Sequence, residues 1–135
     1  MPAGPFNHII TGYDPGVTIA ADDSFALPPA PFDGVIASVT YTPEAAATGD
    51  NTNARTFTLV NKGQSGVGTT VMATLALVTG VNLVAFDEKS ATLSVVANAT
   101  TFVTGDELAW VSTHTGTGVV DPGGTVKITA NRTYA

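Results

Sequence analysis

The chain has 135 residues, near the size of one domain, and no cysteine, which excludes disulfides and thiolate metal sites. Eleven acidic residues against five basic ones give a formal charge of −6. Arg55, Lys62, Lys89, Lys127 and Arg132 stand singly, so no basic stripe exists to neutralise phosphates and nucleic-acid binding is not expected.

Only 12% of the residues are charged, against about 25% in ordinary soluble domains. Threonine, serine, asparagine and glycine must then cover much of the exterior, and part of that exterior is expected to become an interface. No stretch approaches the roughly 18 consecutive apolar residues of a membrane span. The opening MPAGPFNHIITGYDPG has no basic region followed by an apolar run, so no signal peptide is expected in it.

Six of the eight prolines fall within the first 31 residues. Proline fixes φ and removes a backbone donor, which argues against a central strand or a regular helix there. Asp14-Pro15-Gly16 reads as a turn, Val17–Ala20 as a short strand, Asp22-Asp23-Ser24 as a loop opening, and Leu27–Pro31 as polyproline-like chain. The division expected is a proline-rich N-terminal arm or segment, residues 1–34, and a β-sandwich domain, residues 35–135. Phe6, Ile9, Ile10, Tyr13, Phe25 and Phe32 are too apolar for a disordered tail. The segment either folds over its own domain or extends onto a neighbouring subunit.

After Gly34 the pattern becomes regular. Val35, Ala37, Val39 and Tyr41 alternate with a mostly polar set, as on a half-buried strand ended by Pro43. Glu44–Asn53 is a small-residue loop, and Glu44–Thr48 is the one place for a helical turn. Thr56–Val60 alternates again, and Asn61–Gly68 makes a flexible hairpin connection into Thr70–Val78, expected to be a central strand. Further strands are expected at Val81–Phe86, Ala91–Val96, Glu107–Thr113 and Thr125–Ala130. Short Val/Thr-rich strands cut by glycine- and proline-bearing turns indicate an all-β, two-sheet antiparallel sandwich, jelly-roll-like, of seven or eight strands.

The chain is poor in reactive constellations. His8 and His114 lie far apart, without the local spacing of a metal site, and His114 reads as a loop or interface residue. Asp22-Asp23, Asp87-Glu88 and Asp106-Glu107 are acidic pairs beside turns. Adjacent carboxylates on a strand point to opposite faces, so no single pair serves glycosidase chemistry. No calcium-loop pattern appears. Gly63–Gly68 lacks the ending of a phosphate loop, and a strand rather than a helix follows it. Ser24, Ser65, Ser90 and Ser112 have no nucleophile elbow. Asn98-Ala-Thr100 and Asn131-Arg-Thr133 match the glycosylation sequon as chance occurrences in a Thr-rich chain. Trp110, two positions after Leu108, is expected in the core. No catalytic, cofactor-binding or metal-ligating residue is expected, and the chain is read as a non-enzyme.

From Pro28 to Arg132, about three quarters of its length, the chain resembles small β-sandwich virion proteins of tailed bacteriophages infecting actinobacteria. These are capsid decoration, or minor capsid, proteins. The phrases that carry the resemblance are Pro31-Phe-Asp-Gly34, Val39-Thr-Tyr-Thr-Pro43, Arg55-Thr-Phe-Thr-Leu-Val-Asn-Lys-Gly63, Ala85-Phe-Asp-Glu88, Gly105-Asp-Glu-Leu-Ala-Trp110 and Asp121-Pro-Gly-Gly124. The leader Met1–Leu27 lies outside the match. The resemblance implies a structural protein bound to the outside of an assembled capsid, with no active site or cofactor. Its partners would be the major capsid protein and other copies of itself, a homotrimer being the leading arrangement. Its place would be the virion exterior, after assembly in the host cytoplasm. The alternative is a carbohydrate- or receptor-binding module of a phage fibre or tail, which needs an exposed aromatic near His114 or the Glu44–Asn53 loop.

Overall fold

A computed structural model describes residues 7–133 of the chain. Ten strands and no helix occur among them: β1 (Asn7–Asp14), β2 (Asp23–Ala26), β3 (Gly34–Pro43), β4 (Ala54–Gly63), β5 (Thr70–Leu77), β6 (Lys89–Ser90), β7 (Thr92–Leu93), β8 (Thr101–Phe102), β9 (Glu107–Thr115) and β10 (Gly124–Arg132). They form two five-stranded antiparallel sheets packed face to face. One has the order β1-β10-β3, with β6 and β8 both pairing with β3. The other has the order β2-β9-β4-β5-β7. The expected all-β sandwich is the fold observed.

The prolines of the leader flank a strand rather than interrupt one. Asn7–Asp14 pairs residue for residue with β10 of its own chain, and Pro15 follows where the strand ends. Val17–Ala20 is not a strand: Val17 makes one bridge to Asp121, and a turn follows in which the Ala21 N–H donates to the Thr18 carbonyl at 3.1 Å. Asp23 and Ser24 belong to β2, whose Phe25 lies opposite Trp110 of β9.

Further expectations are corrected. In β3 the pairing slips between Thr129 and Ala130, which face Ser38 and Ile36, so Ala37 is a bulge. A bulge adds one residue and reverses which face follows. Ile36 points inward on one side of it, Val39 and Tyr41 on the other, while Val35 and Ala37 face out. Val81–Phe86 is not a strand, because turns at Val78–Val81 and Val84–Asp87 leave only the Leu83–Ala47 bridge between them. That same bridge occupies the place considered for a helical turn. The run Ala91–Val96 is a crossing: Ser90 pairs with β3, Ala91 N–H donates to Val39, and Thr92–Leu93 pairs with β5. β5 therefore lies next to the last strand of its sheet rather than at the centre.

The core fills the space between the sheets. Tyr41 from one sheet packs on Phe57 and Trp110 of the other, with ring centroids 4.9 and 5.7 Å away, and Phe57 stacks on Trp110 at 5.6 Å. Trp110 and Leu108 are fully buried, as their shared face required. Leu59, Met72, Leu77, Val126 and Ile128 close around the rings.

One residue of the inward stripe Arg55–Phe57–Leu59 is charged. Arg55 is fully buried, and its guanidinium is surrounded by oxygen. Nε donates to the Val119 carbonyl at 2.6 Å and Nη1 to Ser112 Oγ at 2.9 Å. Nη2 reaches the carbonyls of Thr18, Ile19 and Ala21 at 3.2, 3.2 and 2.9 Å. The planar fork of five donors suits this array, which pins the β1–β2 loop to the segment before β10. Arg55→Leu removes a donor from four part-buried carbonyls and from the buried Ser112 hydroxyl. Urea unfolding should then show a loss of about 3 kcal/mol or more, since each orphaned group costs about 1–3 kcal/mol. Arg55→Lys should rescue little of it, because one ammonium cannot span the array. An unchanged midpoint in Arg55→Leu would show that the fork is dispensable.

Candidate functional surface

The candidate residues read from the sequence do not converge. His8 is on β1, with its ring 4.5 Å from Phe32. His114 is on β9, where its Nδ1 lies 2.6 Å from Asp22 Oδ1 and its N–H donates to the same oxygen at 2.8 Å. Those two contacts hold the Asp22 carboxyl below its usual range, the backbone donor foremost. The pair ties the β1–β2 loop to β9. Among the described residues no three His, Asp or Glu side chains are grouped to hold a metal.

At least one member of each acidic pair is engaged by its surroundings. Asp106 is buried, which works to raise its pKa. Donors from Val103 N–H at 3.0 Å, Asn61 Nδ2 at 3.0 Å and Gln64 Nε2 at 2.7 Å outweigh burial and bring the carboxyl below its usual range. Glu88 pairs with Lys127 at 3.1 Å on the outer face of the first sheet. Gly63–Gly68 connects β4 to β5 and is closed by Gly68 N–H donating to Lys62. Ser112 is committed to Arg55, and Ser24, Ser65 and Ser90 are exposed without such company.

A cluster that spacing along the chain gave no reason to expect lies at one end of the sandwich. The tripeptide Asp-Pro-Gly occurs twice, at 14–16 and 121–123. In each copy the Asp Oδ1 accepts the N–H of the Gly two residues on, at 2.8 and 3.0 Å, the mark of an Asx turn. The two turns interlock, joined by paired backbone bonds between Val17 and Asp121. Gly16 has φ 83° and Gly123 φ 82°. A side chain on Gly16 would meet Asp121 O at 2.7 Å, and one on Gly123 would meet Asp14 O at 2.9 Å.

Asp14 and Asp121 are 1% and 2% exposed, and Tyr41 reaches both. Its hydroxyl lies 2.9 Å from Asp121 Oδ1 and 3.4 Å from Asp14 Oδ2. Burial raises Asp14 to about 7, and its hydrogen bond with Asp121 adds to the shift. Asp121 Oδ2 is buried with no hydrogen-bond partner among the described residues. Tyr41 is raised too, by burial first and by the two neighbouring carboxyls, so it stays a donor. All three groups are buried, and the arrangement is a structural latch.

What remains is surface, and its chemistry is uneven. The outer face of the second sheet is built from cross-strand rows. Ala26, Ala109, Val60 and Val71 form one row, and Ser24, Val111, Thr58, Thr74 and Thr92 the next. Thr113, Thr56 and Ala76 form a third. None of these residues is charged. Asp22 and Asp23 stand at its margin, beside a shallow recess also lined by Ser24, Val111 and Thr113. At the sandwich end, Phe86 is 78% exposed with φ 61°, its N–H donating to the Pro43 carbonyl. Tyr13 nearby is 55% exposed, and its hydroxyl donates to Glu44 at 3.2 Å.

The latch makes stability depend on pH with a definite sign. Asp14 titrates near 7 when folded and near 3.8 as an ordinary carboxyl, so between those values the folded chain holds the extra proton. Its contribution is complete below about pH 4 and is lost as pH rises through about 7. Thermal unfolding of the wild type against Asp14→Asn should show the difference between them changing across that window. Parallel profiles would refute the shared proton. No family model matches the chain, and no curated protein matches it.

Proposed function

We propose that this chain is a structural virion protein that binds the outside of a tailed-phage capsid and stabilises it, as a decoration or minor capsid protein. The observation that carries the proposal is the set of three uncharged cross-strand rows on the outer face of the second sheet, with Glu107 beyond them on β9, on a molecule whose net charge is −6. Covering these rows desolvates no ion, whereas burying unpaired charges costs several kcal/mol each. Ala, Val, Ser and Thr also keep the face flat, which suits broad contact with a rigid shell. Arg55, Asp14 and Tyr41 inside are engaged in holding turns and loops together, which leaves contact to the exterior. The resemblance in the turn and strand phrases supplies the class. The partners are then the major capsid protein and further copies of the chain, and the location is the capsid exterior. The negative charge suits a position away from packaged DNA, and five scattered basic residues provide no phosphate-binding surface.

The exposed Phe86 beside Pro43, where the Glu44–Asn53 loop begins, favours a second reading as a carbohydrate- or receptor-binding module of a fibre or tail. An aromatic held in the left-handed region at the surface is the type of feature that anchors a ligand. Titration of the protein onto undecorated capsids, read by cryo-electron microscopy, separates the two. The capsid reading requires added density on the shell, with occupancy reduced at least tenfold by Thr58→Glu and unaffected by Phe86→Ala. A bare shell at saturating protein contradicts it, and the second reading then requires glycan or cell-surface binding that Phe86→Ala removes.

A further inference from the structure

The sheet edges of this sandwich are unequal. β6 and β8 have two residues each, β7 has two and β2 four. β1 is an edge strand of eight residues in unbroken register with β10. Among the described residues no backbone hydrogen bond reaches its far side. Natural edges are blunted by charges, prolines or bulges, because a free row of N–H and C=O groups is a template for another strand. From Asn7 through Tyr13, β1 has none of these devices. Ile9 is 63% exposed on it, and a groove of about 290 Å³ follows it, lined by Ile9, Ile10 and Thr11 on one side and Pro28, Pro29 and Pro31 on the other.

We propose that β1 pairs antiparallel with β1 of a second copy about a twofold axis, joining the two sheets into one continuous sheet. Charge selects this occupant. Each copy carries −6, yet residues 7–13 include no Asp, Glu, Lys or Arg, so the edges meet without placing like charges opposite. Side-chain matching selects the register. A twofold axis through Thr11 keeps inward faces together and sets Thr11 opposite Thr11. It also sets Ile9 opposite Tyr13 twice, beside the groove, and Gly12 opposite Ile10. Thr–Thr and aromatic–β-branched pairs are among the favourable cross-strand combinations. A twofold contact closes at two, so this edge makes a dimer and not the trimer entertained from the sequence. The inference stands whether or not the chain sits on a capsid.

The remaining repulsion between copies is long-range and screened by salt. Sedimentation of the full chain should therefore show a dimer fraction that rises with concentration and with ionic strength. Ile9→Lys should weaken the dimer at least tenfold at an unchanged melting temperature, since Ile9 is exposed in the monomer. The chain has no cysteine, so Thr11→Cys places a single reporter on the axis. It should cross-link the dimer under mild oxidation, while Thr58→Cys, on the outer face of the other sheet, should not. A monomer at millimolar concentration in high salt overturns the proposal. So does a dimer indifferent to Ile9→Lys, or one that cross-links through Thr58→Cys in place of Thr11→Cys.

Discussion

The hydroxyl of Tyr41 rests on the buried carboxyls of Asp14 and Asp121, and its ring rests on Phe57 and Trp110. One side chain thus joins two kinds of order. The ring couples the sheets through the apolar core, and the hydroxyl fixes two turns that close one end of the sandwich. Each turn depends on its Asp accepting the Gly N–H, and Tyr41 gives each buried Asp a further contact. Burial raises the pKa of Asp14, so its carboxyl holds a proton to higher pH than an exposed carboxyl does.

Arg55 meets the same constraint nearby. It occupies an inward position on β4, so its charge must be met by oxygen from the chain itself. The β1–β2 loop supplies most of that oxygen, which explains why a segment without regular strand structure is held firmly. These interior groups are committed to folding. Their engagement, together with the uncharged rows on the outer face of the second sheet and the edge strand β1, moves the functional question to the surface. A stiff sandwich with uncharged rows on one face and an edge strand uncharged from Asn7 to Tyr13 is suited to assembly.

Much of this was legible from period-two alternation. β4, β9 and β10 announced themselves by Val, Thr and aromatic residues alternating with polar ones, and Trp110 was placed by its relation to Leu108. The stripe Arg55–Phe57–Leu59 held the signal that Arg55 faces inward, although its charge suggested the surface. The bulge at Ala37 was not legible, since a one-residue slip leaves local composition unchanged and only the partner strand reveals it. β1 was obscured by prolines that bound it without interrupting it. Val81–Phe86 has strand composition, but the turn after Val78 and the left-handed Phe86 override that preference. The Asp14–Tyr41–Asp121 latch joins residues far apart along the chain. The repeated Asp-Pro-Gly was its one visible trace, and nothing local said that the two turns meet.

The dependence on Tyr41 is tested most directly by a double-mutant cycle of Tyr41→Phe with Asp121→Asn, read by urea unfolding at fixed pH. If the hydroxyl and the carboxyl form one unit, removing either forfeits most of what removing both forfeits. The coupling energy should then be about 1–3 kcal/mol, in the range of directly interacting buried groups. Additive losses, with coupling indistinguishable from zero, would mean that the core and the paired turns are held independently.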